Sequence, residues 1–94
     1  MTTDRLSPEL VETSLEALPH WSGNDESISS TVPVEDEQVD ELLAAVEASA
    51  RAMNHDPEIE RTTGQVRFVL TTHDAGGITE KDVALARAMD QAAR

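Results

Sequence analysis

The chain is predicted to be a small α+β domain: a small antiparallel sheet with three helices packed on one face, in the order α-β-β-α-β-β-α. Three observations predict this. Residues 36–53 place Val39, Leu42, Leu43, Val46, Ala50 and Met53 mostly three or four apart, on one face of a helix. The run "QVRFVLTTH" at 65–73 alternates Val66, Phe68 and Leu70 with Arg67, Val69, Thr71 and His73, the period-two pattern of a half-buried strand. Helical and extended segments then follow one another with turn chemistry between them, which suits a layer of helices on a sheet. The 94 residues make one domain, 1–94, with room for a single modest core.

The elements can be justified in order. Ser7 caps a first helix over residues 7–18, and Pro8 suits its first position, where a missing N–H costs nothing. Leu10, Val11, Leu15 and Leu18 give it an apolar stripe, and Pro19 stops it. Trp21 and residues 28–34 flank the turn Ser22-Gly23-Asn24-Asp25 as a weak hairpin, in which Pro33 marks an edge or a strand end. The second helix, 36–53, carries acids in its first turns, where the macrodipole favours them, and Asn54 and Pro57 end it. Residues 58–62 form a short strand, Thr63-Gly64 turns the chain, the strand at 65–73 follows, and 74–77 is a loop. In the last helix, 79–93, Thr79 and Asp82 have capping-box spacing, and Val83, Leu85, Ala86 and Met89 face the core.

Composition excludes several functions. A net charge of −12, from 19 acids against 7 bases, repels nucleic acid and anionic lipid. The absence of cysteine rules out disulfides and thiolate metal sites. The N-terminus has no basic-then-apolar signal pattern, and no apolar run spans a bilayer, so a cytoplasmic, soluble protein is expected.

The chemistry concentrates at two element ends. "NHDP" at 54–57 closes the second helix and "TTH" at 71–73 closes the best strand, so His55 and His73 occupy loop-side positions. Two imidazoles can divide acid and base work near neutral pH. No HxxxH or HxH spacing preorganises a metal site, and no serine has the context of a nucleophile elbow.

"NHDPEI" followed by "VRFVLTTHDAGGITEKDVALARAMD" resembles the pterin-4a-carbinolamine dehydratase family, also called 4a-hydroxytetrahydrobiopterin dehydratases, with His55, Pro57, Thr71, Thr72, His73 and Asp82 at the matching positions. "LPHW" at 18–21 looks like the family's Leu-Pro-Gly-Trp. Departures are Asp56 for the family's second histidine, Arg51 for a frequent acid, Thr63 for an aromatic and Ile59 for a frequent tryptophan.

The resemblance implies a hydro-lyase that removes water from a 4a-hydroxytetrahydropterin and needs no metal or redox cofactor. It implies His55 and His73 as catalytic residues, and Asn54, Asp56, Pro57, Thr71 and Thr72 as substrate-binding residues, with strand-end hydroxyl and backbone groups presented to the ring. Asp82 would support the site, in one reading by orienting His73. Asp56 is either a pocket residue or a helix-end bystander. A homodimer or homotetramer is expected. The alternative is a catalytically weak or inactive relative that acts as an assembly or dimerisation partner of another protein.

Overall fold

The structure is a computed structural model that describes residues 5–92. Its elements run α1 (Pro8–Glu16), β1 (Ser22–Gly23), β2 (Ile28–Pro33), α2 (Asp36–Met53), β3 (Glu58–Thr62), β4 (Gln65–Leu70) and α3 (Glu80–Ala92), with a 3-10 turn at His73–Ala75 before α3. The order is the expected α-β-β-α-β-β-α. Residue 93, expected to close the last helix, lies outside the described residues.

β4 is the axis of the sheet. The strand order is β1-β2-β4-β3 and every pairing is antiparallel. β2 pairs with β4 from Ile28↔Leu70 to Pro33↔Gln65, and β3 pairs with it from Glu58↔Val69 to Thr62↔Gln65. Pro33 lies at the end of β2, past the two residues covered by β1, where a strand tolerates a missing N–H. The alternation read from the sequence sends Val66, Phe68 and Leu70 inward, each at most 1% exposed.

They meet Val39, Leu42, Val46 and Ala50 of α2, Val83, Leu85, Ala86 and Met89 of α3, Val11 of α1, and Ile28 of β2. Burying a side chain of Leu or Phe size is worth roughly 1.5–3 kcal/mol, so this shared core decides where the helices sit. Trp21 is also buried, and its indole Nε1–H donates to Asp90 Oδ1 on α3 at 3.1 Å. Among the described residues no helix is long and apolar enough to cross a membrane.

Three details differ from expectation. Leu10 is 54% exposed, because one residue is about 100° of helix and α1 turns Val11 and Leu15 toward the core, while Leu18 is buried past the helix end at Glu16. Trp21 precedes β1 and packs on the core instead of forming a strand residue. β4 stops at Leu70, because Thr72 turns to pair with Gly77 and the chain then winds into the 3-10 turn. His73 therefore does not continue the exposed face of β4.

Candidate functional site

The end of α2 positions the first histidine. Asn54 adopts the left-handed conformation, φ 52° and ψ 46°, and its N–H bonds Arg51 O at 3.2 Å. The His55 N–H then reaches back to Ala50 O at 2.9 Å, and Pro57 prevents the helix from resuming. This reversal sends the His55 ring inward. Its side chain is 11% exposed, and Nε2 lies 2.5 Å from Oδ1 of Asp82.

Asp82 is fully buried in the first turn of α3. Its Oδ2 accepts from Thr79 N–H at 2.9 Å, which is the capping-box bond expected from the sequence, and from Thr72 Oγ1 at 2.7 Å. The α3 N-terminus favours a carboxylate there. The remaining proton positions follow by elimination. Thr72 gives its hydroxyl hydrogen to Asp82, so Thr79 Oγ1 donates across the 2.9 Å Thr72–Thr79 contact and accepts from Lys81 N–H at 3.3 Å. An ionised carboxylate only accepts, so Nε2 of His55 carries its hydrogen and Nδ1 is the ring nitrogen not engaged with Asp82. Among the described residues no buried side-chain nitrogen or oxygen is left without a partner.

Asp82 thus pairs with His55, not with His73. The expectation that Asp82 orients His73 is corrected: the capping-box geometry aims its free oxygen at the end of α2. His73, immediately after Thr72, is exposed, and its imidazole makes no hydrogen bond among the described residues. Thr71 Oγ1 donates to Glu26 O at 2.6 Å. The hydroxyl hydrogens of Thr71 and Thr72 are therefore both engaged within the protein, the Thr72 N–H and C=O are bonded to Gly77 and Ala75, and what is left for a ligand is a Thr71 acceptor.

A groove of ≈ 440 Å³ opens where α2 meets β3, lined by Glu47, Ala50, Arg51, Asn54, Asp56, Pro57 and Ile59. That volume is in the range of small-molecule sites. Asn54, Asp56 and Pro57 thus fall together, while His55, Thr71, Thr72 and His73 do not line this groove. Asp56 is exposed, with no hydrogen bond or ion pair among the described residues. Thr79 was missed as a site residue, although its spacing to Asp82 carried the signal. Glu47 and Arg51 as groove lining could have been found from the helix spacing 47, 51, 54. No group of three or more metal-ligating side chains is placed to hold a metal ion among the described residues.

Comparison with known proteins places this arrangement in a family. The pterin 4 alpha carbinolamine dehydratase family matches residues 4–92. A provisionally named pterin-4-alpha-carbinolamine dehydratase of Nocardia farcinica is 40% identical over 100% of both chains. Another, of Nitrobacter winogradskyi, is 39% identical over 97% of this chain and 93% of its own. The crystal structure of a transcriptional coactivator/pterin dehydratase from Brucella melitensis superposes with a TM-score of 0.90 at 29% identity, covering 97% of this chain and 100% of that one. With the fold and the matched span in agreement, the chain belongs to the pterin-4-alpha-carbinolamine dehydratase family.

Proposed function

We propose that this dehydratase removes water from a 4a-hydroxytetrahydropterin by histidine acid/base catalysis, giving the quinonoid dihydropterin. The 4a-hydroxyl leaves as water once it receives a proton, and the ring N5 gives up its proton as the N5=C4a bond forms. Atoms and charge balance with one imidazolium donating and one imidazole accepting. We assign these two roles to His55 and His73, each worth roughly 10²–10⁴-fold in rate. The observation that supports this best is the lock on His55: Asp82 holds Nε2 at 2.5 Å, which fixes the ring and its tautomer and leaves Nδ1 for substrate. Asn54, Asp56 and Pro57 would face the ring from the groove, and the ionised Asp56 suits the N–H groups of the pyrimidine edge.

The test is stopped-flow dehydration of a synthesised 4a-hydroxytetrahydropterin. We expect turnover well above the uncatalysed rate, and a wild-type rate equal to background would remove the enzyme reading. Background turnover would instead favour the second reading, a partner protein with little or no activity, to which the similarity to the Brucella transcriptional coactivator/pterin dehydratase and the Asp56 departure lend support. The same proposal includes work in the cytoplasm as a homodimer or homotetramer. Among the described residues β3 is an edge strand paired with β4 alone, and that edge is where a second copy would add. Light scattering is expected to return a multiple of the 10.2 kDa chain mass, and a monomer mass would refute self-association.

A further inference from the structure

The loop that presents His73 is closed at its base and gripped from outside. Thr72 and Gly77 exchange both backbone hydrogen bonds, Thr72 N to Gly77 O at 3.0 Å and Gly77 N to Thr72 O at 3.3 Å. Between them Ala75 N bonds Thr72 O and Gly76 N bonds His73 O, each at 3.1 Å. This base is held by residues distant in sequence. Ile78 N–H donates to Asp25 O at 2.8 Å, Ile78 O accepts from Leu6 N–H at 2.8 Å, and Thr71 Oγ1 donates to Glu26 O at 2.6 Å. Asp25 and Glu26 belong to the β1–β2 turn, which Asn24 stiffens by accepting from Glu26 N at 2.8 Å and Ser27 N at 3.2 Å.

One ion pair joins the two grips. Arg5 Nη2 lies 2.6 Å from Asp25 Oδ2, with side chains 42% and 25% exposed. It closes directly over Gly77: a Cβ there would stand 2.3 Å from Asp25 O and 2.7 Å from Arg5 Nε. The bare glycine lets the Arg5 side chain lie against the loop base. No hydrogen bond joins Arg5 or Asp25 to His55 or Asp82.

We propose that Arg5 and Asp25 are positioning residues for the dehydration: their ion pair clamps the Thr72–Gly77 base and so sets where His73 stands. The inference rests on the catalytic role proposed for His73. An exposed pair contributes little to overall stability, whereas a small misplacement of a proton-handling group is costly. The consequence is therefore a rate effect with a small stability effect.

The experiment compares Arg5→Met, which keeps reach and loses charge, with Arg5→Lys, which keeps charge. Arg5→Met is expected to lower kcat about tenfold, between the fewfold worth of an exposed pair and the ~10²-fold cost of a 1 Å displacement, with KM changed less than about twofold. Its Ile78 amide should exchange with solvent faster, and Arg5→Lys should restore most of both quantities. Wild-type kcat in Arg5→Met, or equal loss in Arg5→Lys, would overturn the proposal. If the wild type itself does not turn over, the dehydratase reading fails on its own and takes the catalytic part of this proposal with it. Ile78 exchange then decides the clamp: unchanged exchange in Arg5→Met refutes it too.

Discussion

Replacing His73 with alanine is expected to lower dehydration by about 10²–10⁴-fold and leave the melting temperature almost unchanged, whereas His55→Ala lowers both. The contrast follows from where each ring sits. His73 is exposed and its side chain makes no hydrogen bond among the described residues, so its removal is a surface change worth roughly ±0.5 kcal/mol. His55 is 11% exposed and partners a carboxylate that is fully buried. Its loss leaves Asp82 Oδ1 without a partner, a penalty of about 1–3 kcal/mol. In a domain of this size each kcal/mol shifts the melting temperature by roughly 4–8 °C. Stopped-flow rates and thermal melts on the same two proteins test the pair of statements. A His73→Ala variant that turns over like the wild type would remove His73 from the mechanism.

The second large effect belongs to Asp82. Asp82→Ala is expected to destabilise the fold by about 3–5 kcal/mol, because it leaves three donors at this buried site unpaired at about 1–3 kcal/mol each. That is a large share of the roughly 5–15 kcal/mol that holds such a domain together. The change strips the acceptor from Thr79 N–H at the start of α3, from the Thr72 hydroxyl and from His55 at once. Chemical denaturation measures it, and a midpoint close to wild type would contradict the account.

Asp82→Asn separates fold from chemistry. An asparagine oxygen can still accept from Thr79 and Thr72, but its NH₂ then faces His55 Nε2, which must become the acceptor. The hydrogen moves to Nδ1, the wrong tautomer is held, and turnover is expected to fall by about 10²–10⁴-fold in a protein that remains folded. Nitrogen NMR of the His55 ring reports the tautomer directly.

Much of the fold was legible because local signals agreed with one another. The apolar spacing of α2, its Asn54 stop and the β4 alternation each describe a single element and its buried face, and burial follows them: Val46 and Val66 are 0% exposed. The Thr79–Asp82 cap was legible for the same reason, being a contact of three residues' span. What escaped was tertiary. Which histidine Asp82 would take depends on how α3 docks against α2, and no spacing along the chain encodes it. The end of β4 was overrun because Thr71 and Thr72 suit a strand by propensity, while the bridge from Thr72 to Gly77 competes with continuation. The same holds for Arg5 and Asp25, twenty residues apart and unremarkable until the fold brings them over Gly77.

The indole bond from Trp21 to Asp90 has a practical consequence. This is the chain's one tryptophan, and it is 4% exposed, so the intrinsic fluorescence of the protein comes from one site that reports whether α3 is docked. Unfolding should move its emission to the red as the ring meets water. Trp21 is not among the groove residues, so a ligand entering there leaves the signal unquenched by direct contact. Stability can therefore be followed by tryptophan emission with a ligand in the groove, without a label.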